Sequence, residues 1–272
     1  GEPGSGKTVL LREFAHRAMA AHPELVVATG TCNAYAGLGD SYLPFVEILR
    51  LFTGDIESRR AAGTLSREHA QRLRETTPLT LQAIVQHGSA LIDFFLRRDA
   101  LVERARALPD GARWEAAIHE AISRRANISS QAPLHDQLIQ VLQVVAASRP
   151  LLLILDDLQW ADAPSISLLF QLGRRLGSPG PGMAQPAMDR LLVLGAYRPD
   201  EVIVGRDGQP HPLAAVLHEL LALWGDTVLD LGQAEGRAFV DALVDREPNR
   251  LGPGFREALY RRTGGHALFS VE

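Results

Sequence analysis

The stretch that most constrains this chain is GEPGSGKT, residues 1–8. It fits the pattern G-x-x-x-x-G-K-[ST] at every fixed position, and each position has a mechanical reason. Gly1, Gly4 and Gly6 let the backbone turn tightly, so that successive N–H groups face one centre and form an anion-binding concavity. A helix that follows brings its positive N-terminal end to the same centre. Lys7 supplies a compact charge for the β and γ oxygens of a bound triphosphate, and the Thr8 hydroxyl is a ligand for Mg²⁺. The chain has 28 lysines and arginines in total, and Lys7 is its single lysine, which leaves 27 arginines. A planar guanidinium is bulkier than an ammonium and does not replace a point charge inside such a loop. The whole loop, Gly1, Glu2, Pro3, Gly4, Ser5, Gly6, Lys7 and Thr8, is therefore the candidate phosphate-binding site.

Bulk properties narrow the remaining choices. With 272 residues, 46% of them hydrophobic, the chain can bury a sizeable core. No run of about 18 or more uncharged apolar residues occurs, so no membrane span is expected. No charged segment followed by an apolar stretch opens the sequence as a secretion signal would. The single cysteine, Cys32, excludes an internal disulfide framework and fits a reducing, cytoplasmic setting. The formal net charge is -4 and the arginines are scattered in pairs, a solvated surface rather than a nucleic-acid footprint.

Hydrophobic periodicity gives an alternation of strands and helices. Residues 7–21 read as a helix that stops before Pro23, 25–32 as a short buried strand, and 43–54 as a second helix. From 55 to 132 the pattern is helical but interrupted by Pro78, Gly88, Pro109 and Gly111, so several short inserted helices are expected. Residues 133–149 form a clearer amphipathic helix. Residues 151–157, LLLILDD, are an unbroken apolar run of the kind found in parallel strands buried on both faces. A helix from 163 to 176, a breaker-rich loop at 177–189, a strand at 190–198, a helix at 211–225 and a last strand at 226–231 complete the alternation. After 231 only helices are expected, which argues for a parallel α/β core followed by a small helical lid.

The run LLLILDD supplies the partner of the phosphate loop. It delivers Asp156 and Asp157 to the carboxyl end of a strand, where ligands of open α/β sheets bind. Asp156 is placed to support the Mg²⁺ shell, and Asp157 to orient or polarise an attacking water. Arg198, at the end of the next strand, is a candidate sensor of the γ-phosphate. Asp162, in QWAD, reads as a helix N-terminal residue, and Trp160 as a packing residue beside the site.

GEPGSGKT, LLLILDDLQWAD, LLVLGAYRPDE and the closing YRRTGGHALF resemble the STAND-type branch of the AAA+ ATPases, the signal-transduction ATPases with numerous domains. The stretches from 30 to 49 and from 159 to 176 are similar to bacterial predicted ATPases that precede tetratricopeptide repeats. The resemblance implies a P-loop NTPase fold with flanking helices, a core over 1–231 with the insertion at about 55–132, and the start of a lid over 232–272. It implies ATP and Mg²⁺ as ligands, Lys7 and Thr8 on phosphate and metal, Asp156 supporting the metal, Asp157 in hydrolysis and Arg198 as first sensor. It also implies that the strand feeding the phosphate loop, central in the sheet, is missing from this sequence, as in a domain cut from a longer regulatory protein. Relatives close on Gly-Gly-x-Pro; here the motif reads Gly264, Gly265, His266, Ala267. Residues 211–226 contain no arginine where ring-forming relatives place a finger, which favours a switch over an obligate ring.

The leading expectation is an ATP-binding, slowly hydrolysing regulatory switch, with ATP and ADP as ligands and output or repeat domains of the same polypeptide among its protein partners. No membrane contact and no direct nucleic-acid contact are expected from this segment. The alternatives are a DNA-handling AAA+ ATPase of the origin-recognition type, against which the lack of a basic stripe counts, and a non-hydrolysing nucleotide-dependent scaffold.

Overall fold

The computed structural model describes residues 4–34, 41–126, 133–177, 188–204, 209–231, 236–246 and 248–264. The chain begins with α1 (Lys7–Ala21), β1 (Val26–Thr31) and α2 (Leu43–Phe52). A helical region follows, made of α3 (Glu57–Ala61), α4 (Arg67–His87), α5 (Leu91–Phe94), α6 (Arg98–Arg106) and α7 (Gly111–Ala126). Then come α8 (Leu134–Ser148), β2 (Leu151–Asp156), α9 (Ala163–Gly177) and β3 (Leu191–Gly195). Four more helices close the described chain: α10 (Pro199–Ile203), α11 (Pro212–Trp224), α12 (Arg237–Asp245) and α13 (Pro253–Thr263). Two compact units emerge, a central one of residues 15–195 and a terminal one of residues 1–14 with 196–272.

The central unit holds a three-stranded sheet in the order β1-β2-β3 with both pairings parallel. Val26 to Thr31 lie opposite Leu151 to Asp156, and Leu151 to Leu155 lie opposite Leu191 to Gly195. All six residues of β2 are buried, as its unbroken apolar run requires of a strand covered on both faces. Each such leucine removed from water contributes roughly 1.5–3 kcal/mol before entropy is set against it. The helix α2 lies so close to β1 that a Cβ on Gly30 would stand 2.0 Å from the carbonyl oxygen of Pro44. Only glycine permits that contact.

Helical residues complete the sheet's outer edge. Along β1, the carbonyl of Val27 accepts a bond from His69 Nε2 (2.7 Å) and that of Thr29 accepts one from Arg59 Nη1 (3.1 Å). The amide of Thr31 donates to Glu47 Oε2 (3.0 Å), and Arg59 Nη2 donates to the same oxygen (2.9 Å). Arg72, buried in α4, donates to the carbonyls of Met19, His22 and Leu25, tying down the end of α1 and the turn that leads into β1.

The inserted segment differs from expectation at Pro78, which lies inside α4 rather than ending a helix. Buried Leu73, Thr76, Thr77, Thr80, Leu81 and Ile84 flank it on both sides, so packing holds the helical path across the hydrogen bond that proline cannot donate. The threonine hydroxyls donate to carbonyls one turn back, Thr76 to Arg72 and Thr80 to Thr76. Gly88 does end α4, and α7 begins at Gly111.

A second correction concerns 226–231. Residues 227–230 have no regular secondary structure, and Leu229 is 85% exposed. Among the described residues no strand lies beside them to supply a ladder, and the Val228 amide donates instead to Asp226 Oδ1 at 3.4 Å. The breaker-rich stretch falls mostly, and the final stretch from 265 to 272 wholly, outside the described residues.

Candidate functional site

The terminal unit carries the glycine-rich loop. Gly1, Glu2 and Pro3 lie outside the described residues, so the loop is seen from Gly4 onward. Gly4 and Gly6 hold φ of 81° and 82°, the left-handed region that side chains disfavour. Between them Ser5 is buried, and its hydroxyl oxygen accepts a 3.1 Å bond from Lys7 Nζ. Lys7 is the first residue of α1, and the amide of Leu10 donates to the carbonyl of Gly6, so the loop runs into the helix without a break. A tight turn of alternating left-handed glycines, a helix N-terminus and one ammonium form a donor set without an acidic side chain among the described positions. That set fits a polyphosphate.

The central unit carries the acids. Asp156 is the last residue of β2, buried, and its Oδ1 accepts the amide of Asp157 at 2.9 Å. Asp157 leaves the strand at φ 57° and ψ 41°, a left-handed conformation that aspartate tolerates better than most side chains. A single 3₁₀ turn, Leu158–Trp160, follows, with the Trp160 amide donating to the Asp157 carbonyl at 2.9 Å. Gln159, 3% exposed, donates from Nε2 to Asp157 Oδ1 at 2.8 Å. One carboxylate oxygen of Asp157 is thereby fixed by a buried amide.

Cys32, just beyond β1, reports on the electrostatics of this edge. Its amide donates to the Asp156 carbonyl (3.0 Å), and the side chain is buried. Burial, reinforced by the carboxylates of Asp162, Asp157, Glu47 and Asp156, pushes its thiol up to about 12. The carboxylates of Asp156, Asp157, Asp162 and Glu47 thus lie within electrostatic reach of the thiol at the carboxyl ends of β1 and β2, and such a grouping suits a cation-bearing ligand better than a bare anion. Among the described residues no three His, Cys, Asp or Glu converge as a protein cage for a metal. Mg²⁺ needs no such cage, because it keeps waters and phosphate oxygens and takes only one or two protein ligands.

Asp162 is bonded as a helix cap: Oδ1 accepts the Ser165 amide (2.8 Å) and Oδ2 the Ser165 hydroxyl (2.6 Å), at the start of α9. Trp160 is half-buried beside it. Arg198 lies beyond the end of β3, at the N-cap of α10, where Nη1 pairs with Glu201 Oε1 at 2.7 Å. Lys7, Thr8 and Arg198 belong to the terminal unit, Asp156 and Asp157 to the central one. Arg261 and Arg262 lie in the last turn of α13, whereas Gly265, His266 and Ala267 fall outside the described residues.

Reading of the sequence missed Gln159, Glu47, Arg59 and Tyr42 as parts of this edge. Gln159 alone left a local signal, a polar residue between Leu158 and Trp160 directly after the acids. The other three reach it through contacts between distant positions.

Comparison with known proteins adds family membership. No curated protein and no solved structure matches the chain. A family model described as AAA ATPase domain matches residues 1–184, which include the glycine-rich loop, all of β1 and β2, and the paired acids. The parallel sheet flanked by helices, with a phosphate loop opening α1 and two aspartates at the end of its central strand, is a P-loop NTPase arrangement. The chain belongs to the AAA ATPase domain family.

Proposed function

We propose that this chain is the ATP-binding, slowly hydrolysing switch module of a larger regulatory protein, with residues 1–231 as its core and 232–272 as the start of a lid. The observation that carries hydrolysis, over a scaffold that merely holds nucleotide, is the paired arrangement of Asp156 and Asp157. One is buried at the end of the strand and the other is turned out of it and pinned by Gln159. A pure scaffold has no use for a second, separately oriented acid.

In this reading the backbone from Gly4 to Thr8 holds the phosphates, Lys7 neutralises the β and γ oxygens, and Thr8 and Asp156 hold the Mg²⁺ shell. Mg-ATP supplies the reactive β–γ anhydride. Asp157 orients the attacking water and accepts its proton, while Gln159 keeps the carboxylate from rotating away. Arg198 senses the γ-phosphate, and its pairing with Glu201 offers a second position for it when the γ-phosphate has gone. The difference between the ATP and ADP states passes to other domains of the polypeptide and their protein partners.

The test uses the full-length protein. Mg-ATP binding is expected, with loss of affinity on Lys7→Ala. Asp157→Asn is expected to keep binding and to lower single-turnover hydrolysis by about 10²-fold or more. Unchanged turnover in Asp157→Asn would remove the hydrolytic assignment.

A further inference from the structure

We propose that Asp162 and Tyr42 are positioning residues for hydrolysis: together they hold the turn that carries Asp157 against the segment after β1 and tie it to α8. This inference rests on the reading that Asp157 orients the attacking water.

The cap of α9 uses Asp162 only partly. Besides its two bonds from Ser165, its Oδ2 accepts the backbone amide of Tyr42 at 3.1 Å, from a residue 120 positions earlier. That third bond adds nothing to the capping of α9. It joins the two strand-to-helix connections at the carboxyl edge of the sheet.

Tyr42 is held in a way that its own helix does not need. It is the N-cap of α2, yet it makes no side-chain capping bond, and its backbone sits at φ 65° and ψ 20°. Bulky side chains avoid that region, and Ser, Asp or Asn would cap α2 better. Three contacts hold it there. Its amide reaches Asp162, its hydroxyl shares a 2.8 Å hydrogen bond with His135 Nε2 in the first turn of α8, and its ring lies 5.2 Å from Phe95 and 6.1 Å from Phe94. A disfavoured conformation fixed from several sides at the edge of a site is retained for what it connects.

The connection bears on Asp157 because the intervening chain is short. Asp157 caps the 3₁₀ turn Leu158–Trp160, Ala161 donates to Leu158, and Asp162 comes next. The turn is thus fixed at one end by Asp156 and Gln159 and at the other by Asp162. Releasing the second end lets Asp157 shift by a fraction of an ångström, and small misplacements of a water-orienting group cost rate rather than affinity.

The experiment measures single-turnover hydrolysis and Mg-ATP affinity for Asp162→Asn, Tyr42→Phe and Asp157→Asn in the full-length protein, alone and combined. Asp162→Asn is expected to slow hydrolysis about tenfold with affinity unchanged. Tyr42→Phe keeps the amide and ring and removes only the hydroxyl bond to His135, so it acts in the same direction by about threefold. Combined with Asp157→Asn, neither should slow the residual rate further, because both act through that carboxylate. Lower melting temperatures with unchanged rates, or effects that simply add to that of Asp157→Asn, would overturn the proposal while leaving Asp157's role intact. Full turnover in Asp157→Asn itself would remove both. If Asp162→Asn does not fold, Tyr42→Phe decides alone by the same criteria.

Discussion

Along β1 the outward-facing groups of Val27, Thr29 and Thr31 each meet a side chain, from His69, Arg59 and Glu47 respectively. Along β3 the only strand partner among the described residues is β2, and Leu192 is 48% exposed. An unpaired edge is a template for further pairing, and natural sheets blunt it with charge or cover. At β1 the cover comes from α2, α3 and α4. The helical segment between β1 and β2 is therefore more than a decoration on the fold: it supplies hydrogen-bond partners that a strand would otherwise supply.

The comparison can be broken most forcefully at Gly30. Gly30→Val places a branched side chain where even one carbon would stand 2.0 Å from the Pro44 carbonyl, so α2 must lift off β1. A loss of about 3 kcal/mol in chemical denaturation is expected, at the upper end for overpacking. A smaller effect sharpens the role of His69. Burial, aided by the nearby Arg72 and Arg59 charges, holds its imidazole below the ordinary value of 6.5, against the opposing pull of its bond to Val27. Well above 6.5 neither the folded nor the unfolded form of this residue carries the proton, and its contribution to stability is complete. As pH falls below 6.5 the unfolded chain takes up a proton that the folded chain refuses, so stability is lost. His69→Gln keeps an amide donor for the Val27 carbonyl and should flatten that part of the stability–pH curve, followed by thermal melts from pH 8 to 5. The smallest effect is expected at the other edge. Leu192→Thr should change stability in chemical denaturation by no more than about 0.5 kcal/mol. A loss comparable with that of Gly30→Val would show that Leu192 is covered in solution.

Much of the frame was legible from local pattern. The run LLLILDD becomes a wholly buried central strand, and the segment from 7 to 21 becomes α1 with the same limits. Both signals are carried by consecutive residues and need no knowledge of the rest of the chain. The failures are cases where distant residues decide. The apolar segment at 226–231 has the composition of a strand, but composition does not provide a neighbour to pair with. Pro78 looks like a breaker until the buried threonines and leucines around it are seen to hold the helix. At the strand ends, the acids stand in the sequence as a pair, whereas the amide of Tyr42 meets Asp162 across 120 positions and no local pattern reveals it.

Cys32 has a practical consequence. It is the sole cysteine of the chain, it is buried, and its thiol is held at about 12. At neutral pH its thiolate fraction is on the order of 10⁻⁵, and the thiolate is the reactive form. Alkylating probes should pass it by in the folded protein. Cysteines introduced at chosen surface positions can then be labelled selectively without first altering the native residue.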